Sequence, residues 1–285
     1  MKMKIKIMFL MFILGITLLY SESPEDLIKK TSEEYISGYL TPFVTALGVN
    51  MGSGLFHTAK VHGILGFDLG LKGMILLVPE EAKTFEIQVP GLTEKVKVST
   101  ILGSSEEKNV DGIIFPGGAN ISIIPFVIPQ ASIGVFKGLE VMGRYMTIPI
   151  EESNFTVLGI GVKYELSTLI PFCPVNISTQ LAYQTLNLAD VLKCKTINVN
   201  MHVSKNLILF TPYVGIGIDN TKADISYVYK QGTSQAKSAS VAIEGENKMR
   251  LIIGASFNIL FININADYNI GKYPCVSLGS SFSFR

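Results

Sequence analysis

The chain closes on Val276-Ser277-Leu278-Gly279-Ser280-Ser281-Phe282-Ser283-Phe284-Arg285, and this stretch decides the fold. Side chains alternate across a strand. Val276, Leu278, Ser280, Phe282 and Phe284 therefore share one face, and Ser277, Gly279, Ser281 and Ser283 share the other. The first face is largely apolar and ends in aromatics; the second is small and mostly polar. A strand of this length and pattern suits a tilted membrane strand with lipid on one side and a polar interior on the other.

The same period recurs upstream. Val175, Ile177, Thr179, Leu181 and Tyr183 oppose Asn176, Ser178, Gln180, Ala182 and Gln184. Ile197, Val199, Met201 and Val203 oppose Asn198, Asn200, His202 and Ser204, and Ile262, Ile264, Ala266 and Tyr268 oppose Asn263, Asn265, Asp267 and Asn269. Counted back from the end, short connections (Asn258-Ile259, Ser204 to Asn206, Lys137-Gly138) alternate with longer ones (Gly271 to Tyr273, Asp219 to Lys248, Leu186 to Lys193). Membrane barrels have short turns on one side and long loops on the other. Ser167 to Pro174 is the one connection out of step.

This spacing predicts an all-β fold, a transmembrane antiparallel β-barrel of about ten strands behind an N-terminal amphipathic helix. The strands fall near 62–78, 119–136, 139–148, 155–166, 175–185, 195–204, 209–219, 249–257, 260–269 and 275–284. Residues 79–118 form an outer excursion with a hairpin, Thr84 to Val89 and Lys95 to Leu102; if it joins the wall the count becomes twelve. Residues 219–248 read as a polar, mobile outer loop. A soluble β-sandwich also alternates, but its strands are shorter.

Composition agrees. The chain has 285 residues, 48% hydrophobic and only 16% charged, with a net charge of +1 that gives no reason to expect a nucleic-acid partner. Mean hydropathy is +0.38. Past the N-terminus no run of about 18 apolar residues survives uninterrupted, so the apolar surface goes into a core or, through a closed barrel, into lipid. Lys2, Lys4 and Lys6 followed by apolar Ile7 to Leu19 read as a signal peptide over residues 1–22; an anchoring helix is the competing reading, and the run is short for a span. Cys173, Cys194 and Cys275 lack metal-ligand spacing and read as small hydrophobes, with one disulfide as the alternative.

Ser23-Pro24-Glu25-Asp26 is a helix start, and Leu27, Ile28, Tyr35, Ile36, Tyr39, Leu40, Phe43, Val44 and Leu47 follow at helical spacing. Pro42 is expected to break or kink this helix of residues 24–47, and Gly48 to Gly54 reads as a link. Residues 23–61 thus form a candidate plug for a barrel over 62–285, with Tyr35, Tyr39, Phe43, Phe56 and His57 as its candidate plug residues. Docking of the helix elsewhere, or on a partner, is the alternative.

Asp68, Lys72, Glu140, Arg144, Lys163, Glu165, His202 and Asp267 fall on predicted inward faces. They read either as a selectivity constriction or as the network of a filled, closed interior, since ten strands leave little room. Phe136, Met142, Val157, Ile252 and Phe261 are apolar positions on the same faces and suit a packed interior or a path for a hydrophobic compound. His57, with Ser53 and Asp68, is the one set that a membrane-embedded hydrolase could use, but no nucleophile-elbow pattern surrounds it and a supporting role is favoured. No catalytic, cofactor-binding or metal-ligating residue is assigned, and no cofactor is expected.

Finally, Tyr39-Leu40-Thr41-Pro42-Phe43, Asn50-Met51-Gly52-Ser53-Gly54-Leu55-Phe56-His57-Thr58-Ala59-Lys60, Leu65-Gly66-Phe67-Asp68-Leu69-Gly70 and Val78-Pro79 resemble a family of predicted outer-membrane barrel proteins of diderm bacteria with no established activity. The plan is also similar to barrels of the fatty-acid-transporter type, in which an N-terminal segment plugs the lumen. The resemblance implies a bacterial outer-membrane location, with outer-membrane lipid and the barrel-assembly machinery as partners; the apolar inward positions suit a small hydrophobic ligand. Phe284 stands one place before the usual terminal aromatic of such barrels. The leading expectation is a non-enzymatic, porin-like channel or transporter for small hydrophobic compounds. A closed structural or adhesive surface barrel is the second, and an embedded lipid hydrolase the third.

Overall fold

A computed structural model describes residues 28–89, 91–150, 153–189, 191–229 and 237–284. The expected signal peptide, the Ser23-Pro24 helix start and Arg285 lie outside these residues. In chain order the elements are helix α1 (Ile28–Gly52) and strands β1 (Phe67–Leu77), β2 (Thr84–Gln88), β3 (Lys95–Ser99), β4 (Lys108–Val110), β5 (Ile113–Phe115), β6 (Ile123–Phe136), β7 (Leu139–Ile150), β8 (Ser153–Glu165), β9 (Asn176–Leu188), β10 (Leu192–Ser204), β11 (Phe210–Tyr229), β12 (Lys237–Glu244), β13 (Met249–Ile259), β14 (Ile262–Ile270) and β15 (Cys275–Phe284).

Ten of these strands close into an antiparallel barrel. The order runs β10-β9-β8-β7-β6-β1-β15-β14-β13-β11, and β11 pairs back onto β10 from Tyr213↔Ser204 to Ile225↔Leu192. The terminal strand is no edge: β15 pairs β14 on one side and β1 on the other, from Cys275↔Leu76 to Phe284↔Phe67. Closure satisfies every wall strand on both sides, which a lipid environment requires.

Burial shows the reversal of a soluble protein. Leu69, Ile160, Ile216, Ile264, Leu278 and Phe282 point outward and are exposed, while Lys72, Arg144, Lys163, Asn198, Asn265 and Ser277 point inward and are buried. Apolar outside and polar inside defines a membrane barrel. Phe67, Phe261, Phe282 and Phe284 group at the end where the chain terminates, with ring centroids 5.7–6.3 Å apart. No described helix is long and apolar enough to cross a membrane.

The chain divides into two compact units. Residues through Phe43 belong with Pro79–Ser122; Val44–Val78 belong with Ile123 onward. The first unit has its own core of Ile87, Val89, Val98 and Phe115 with Tyr35 and Phe85 packed against it. Gly38 is required there, because a Cβ would stand 2.4 Å from the Phe85 ring. Its hairpins β2–β3 and β4–β5 each pair only with themselves. β1 pairs β6 directly, down to Leu77↔Ile123, which leaves no place for the 84–102 hairpin in the wall. The wall count is ten and not twelve.

The sequence expectations need several corrections. Helix α1 runs unbroken to Gly52 with Pro42 inside it. Gly48 and Gly52 are not a link but close-approach points: a Cβ would meet Thr221 Oγ1 at 2.1 Å and Asn198 Nδ2 at 2.6 Å respectively. Residues 219–248 are largely strand, since β11 extends to Tyr229 and β12 pairs it from Lys222↔Glu244 to Tyr229↔Lys237. The Leu186–Lys193 connection shortens to a tight turn, because Leu186, Leu188 and Leu192 continue the inward face. Phe136 and Phe261 are exposed, not luminal. A register shift between Gly134 and Phe136 turns the first outward, and the second lies in the β13–β14 turn.

Candidate functional site in the barrel lumen

The lumen of the second unit is occupied by its own chain. From Val44 the last turns of α1 and then residues 53–62 run along the inward faces of the wall strands, and nearly all of them are buried. The contacts that hold them begin at the helix end. The last carbonyls of a helix have no partner within it and carry the negative end of its dipole. Arg144 supplies what is missing: Nη1 donates to Met51 O at 2.9 Å and Nη2 to Ser53 O at 3.0 Å. Gln184 Nε2 donates to Met51 O at 2.7 Å. Gly54, at φ +63°, then takes the left-handed turn that ends many helices. Arg144 is fully buried and pairs with no carboxylate among the described residues.

Next along the segment comes an apolar belt. Leu55 and Phe56 pack with Met142, Ala182, Tyr213 and Ile252. The Phe56 ring stacks on the imidazole of His202 at 3.7 Å between centroids and meets Tyr213 edge-on at 5.8 Å.

Below the belt the segment is tied down by polar groups. His57 Nδ1 lies 3.5 Å from Asp68 Oδ2. Ala59 N donates to Ser204 Oγ at 2.9 Å, and Ser178 Oγ bonds Ala59 O. Val61 N donates to Glu165 Oε2 at 2.9 Å. Glu140 is the hub: it accepts His62 N at 3.1 Å and His62 Nδ1 at 2.7 Å on Oε2, and Lys163 Nζ at 2.8 Å on Oε1. Lys72 Nζ donates to Asn265 Oδ1 at 2.9 Å, and Asp267 accepts Tyr213 OH at 3.1 Å and Asn269 Nδ2 at 2.6 Å.

All eight inward candidates of the sequence, Asp68, Lys72, Glu140, Arg144, Lys163, Glu165, His202 and Asp267, are thus buried in one polar interior. Phe56 and His57 lie in the luminal segment. Tyr35 and Tyr39 pack in the first unit, where their rings stack at 5.6 Å and Tyr35 meets Phe85 and Phe115. Phe43 ends the first of that unit's two segments. The Ser53–His57–Asp68 set does not assemble as a triad, because Ser53 Oγ donates to Val49 O at 2.7 Å.

Sequence reasoning missed Asp219 and Arg250, which approach to 3.3 Å through Oδ2 and Nε, with Asn198 donating to Asp219 Oδ1 at 2.7 Å. It also missed Gln130, and it placed Gln180 and Gln184 on the polar face without giving them a role. Their period-two position was a usable signal, but their acceptors are backbone carbonyls of the luminal segment, Gln130 and Gln180 both reaching Leu55 O at 3.4 Å.

These features define a membrane β-barrel whose lumen is filled by an N-terminal segment of its own chain. The chain belongs to DUF6588, a family of unknown function, whose model matches residues 1–284. No curated protein sequence matches it. Among solved structures it is similar to a TodX mutant monoaromatic hydrocarbon channel, at 9% identity over 79% of this chain and 91% of that one, with a TM-score of 0.27. It is also similar to a triple mutant of the Rhodopseudomonas blastica porin, at 9% identity over 76% of this chain and 100% of that one, with a TM-score of 0.17. At these scores neither likeness carries an argument about function.

Proposed function

We propose that this protein is an outer-membrane barrel that passes small hydrophobic compounds when residues 53–57 move aside, and is closed while they stay in place. One observation carries the reading: Met142, Ala182, Tyr213 and Ile252 form an apolar belt in the lumen, and it is filled by Leu55 and Phe56. Vacating it opens an apolar-walled step in the path, which suits an apolar solute and disfavours ions. The plan parallels fatty-acid-transporter barrels as an analogy of architecture. Outer-membrane lipid is the solvent of the outward face, and the barrel-assembly machinery is the partner that inserts it. No enzymatic step is needed for this role.

The test is reconstitution of the folded barrel in liposomes and planar bilayers. Uptake of a small apolar fluorophore by the full chain is expected, with a rise in uptake when Leu55 and Phe56 are both replaced by Ala. No uptake by either protein contradicts it and favours the second reading, a closed surface barrel. That reading rests on the separate core of the first unit around Ile87 and Phe115, which gives the excursion a defined surface of its own.

A further inference from the structure

Anchoring of the luminal segment explains why Glu140 meets the amide of His62 and the ammonium of Lys163. It does not explain the far side of the same imidazole. His62 Nε2 lies 3.3 Å from Ser283 Oγ, while Nδ1 lies 2.7 Å from Glu140 Oε2. The carboxylate can only accept, so Nδ1 carries a proton, and in the neutral ring Nε2 is then the acceptor for the Ser283 hydroxyl. Both oxygens of Glu140 are held, Oε1 by Lys163 Nζ at 2.8 Å and Oε2 also by His62 N at 3.1 Å, so the group that orients the ring is itself fixed. A hydroxyl on a base, and the base on an immobilised carboxylate, is the arrangement that activates a serine nucleophile.

We infer that Ser283, His62 and Glu140 form a catalytic triad at the mouth of the barrel, acting on carboxylic esters of amphiphiles. The surroundings suit the substrate class. The mouth is rimmed by exposed apolar side chains, Ile64, Leu65, Phe136 and Phe284, beside the aromatic cluster of the outward face. Open space adjoins the residue after the base: a Cβ on Gly63 would meet nothing within 4 Å. The amides of Gly63 and Ile64 donate to no backbone carbonyl among the described residues, and in the triad they would be the donors for a developing oxyanion. Leu65 follows at φ 64°, an uncommon conformation for its residue type that holds this turn beside His62.

The chemistry balances without a cofactor. Ser283 Oγ attacks the acyl carbonyl carbon as His62 Nε2 takes the hydroxyl proton. The ester C–O bond breaks, and the alcohol leaves with that proton. Water, deprotonated by Nε2, then attacks the acyl-serine, releasing the carboxylic acid and restoring the serine hydroxyl. The inference stands apart from the conduit reading, since Ser283 is not in the apolar belt.

The test uses the full-length barrel in detergent micelles, its fold checked by heat-modifiable gel mobility, with a fluorophosphonate probe and p-nitrophenyl esters. A phosphonyl adduct on Ser283, located by peptide mass spectrometry, is expected, together with ester hydrolysis that falls about 10²-fold or more in Ser283→Ala. His62→Asn should abolish the adduct, while Lys163→Met should keep it at a slower rate. Folded wild-type barrel that shows no adduct on Ser283, or Ser283→Ala that hydrolyses the esters as wild type does, overturns the triad. Fluorophore uptake by Ser283→Ala should equal that of wild type, so failure of either reading leaves the other to its own experiment.

Discussion

Arg144 on β7 is joined to Met51 at the end of helix α1 by an Nη1–H···O bond of 2.9 Å. A wall strand thereby caps a helix whose last turns, from Val44, lie inside the barrel. The guanidinium faces the negative end of the helix dipole and needs no carboxylate to be held there. Arg144→Met should leave the Ser53 carbonyl without a donor in a buried site, at about 1–3 kcal/mol, and leave Met51 O to Gln184 alone. The expected result is faster protease cleavage between residues 44 and 62 with unchanged heat-modifiable mobility of the wall; Arg144→Lys should restore part of the protection.

Gly48 meets the wall so closely that a Cβ would lie 2.1 Å from Thr221 Oγ1. Gly48→Ala should therefore overpack the lumen at about 1–3 kcal/mol, although alanine is the better helix former. Thr221→Gly in the same chain should recover much of the loss. A double-mutant cycle on urea unfolding reads the coupling, and strict additivity would remove the contact from the account.

Glu140→Gln removes one partner of the buried pair with Lys163, which approaches it to 2.8 Å. Breaking such a pair leaves an uncompensated buried charge and costs about 3–5 kcal/mol. The barrel should unfold at a markedly lower temperature. The double variant Glu140→Gln, Lys163→Met should be less damaged than the single one.

In the first unit, Phe85 packs on Tyr35 at 5.6 Å and against the backbone of Gly38. Phe85 is half-buried, so Phe85→Ala should loosen this core by less than the ~3–5 kcal/mol of a fully buried Phe. Limited proteolysis should then cut within residues 79–122 while the wall of the second unit survives.

The wall was legible because alternation is local: the inward parity of Lys163 and Glu165, or of Asn198, Asn200 and His202, can be read within one strand. Phe136 escaped because a bulge changes parity without marking the sequence. Gly48 and Gly52 read as a link because a glycine chosen for close approach looks like one chosen for freedom; the difference lies in Thr221 and Asn198, over a hundred residues away. Residues 219–248 looked like a loop because of the polar run Gly232-Thr233-Ser234-Gln235, although Ile225, Val241 and Ile243 keep the strand period on either side. The pairings of the lumen were hidden for the same long-range reason. His62 and Ser283 stand 221 positions apart and meet only when the barrel closes.

The central claim is that residues 44–62 fill the lumen, and one cross-link tests it. A Cβ on Gly54 would lie 3.6 Å from Ser277 Cβ, on the inward face of β15, within the span of a disulfide. In a background with Cys173, Cys194 and Cys275 replaced by Ala, Gly54→Cys with Ser277→Cys should oxidise to a disulfide in the folded barrel. Gly54→Cys with the outward-facing Leu278→Cys should not. A folded barrel that forms no bond between 54 and 277, or forms both bonds equally, would contradict a segment seated inside the wall.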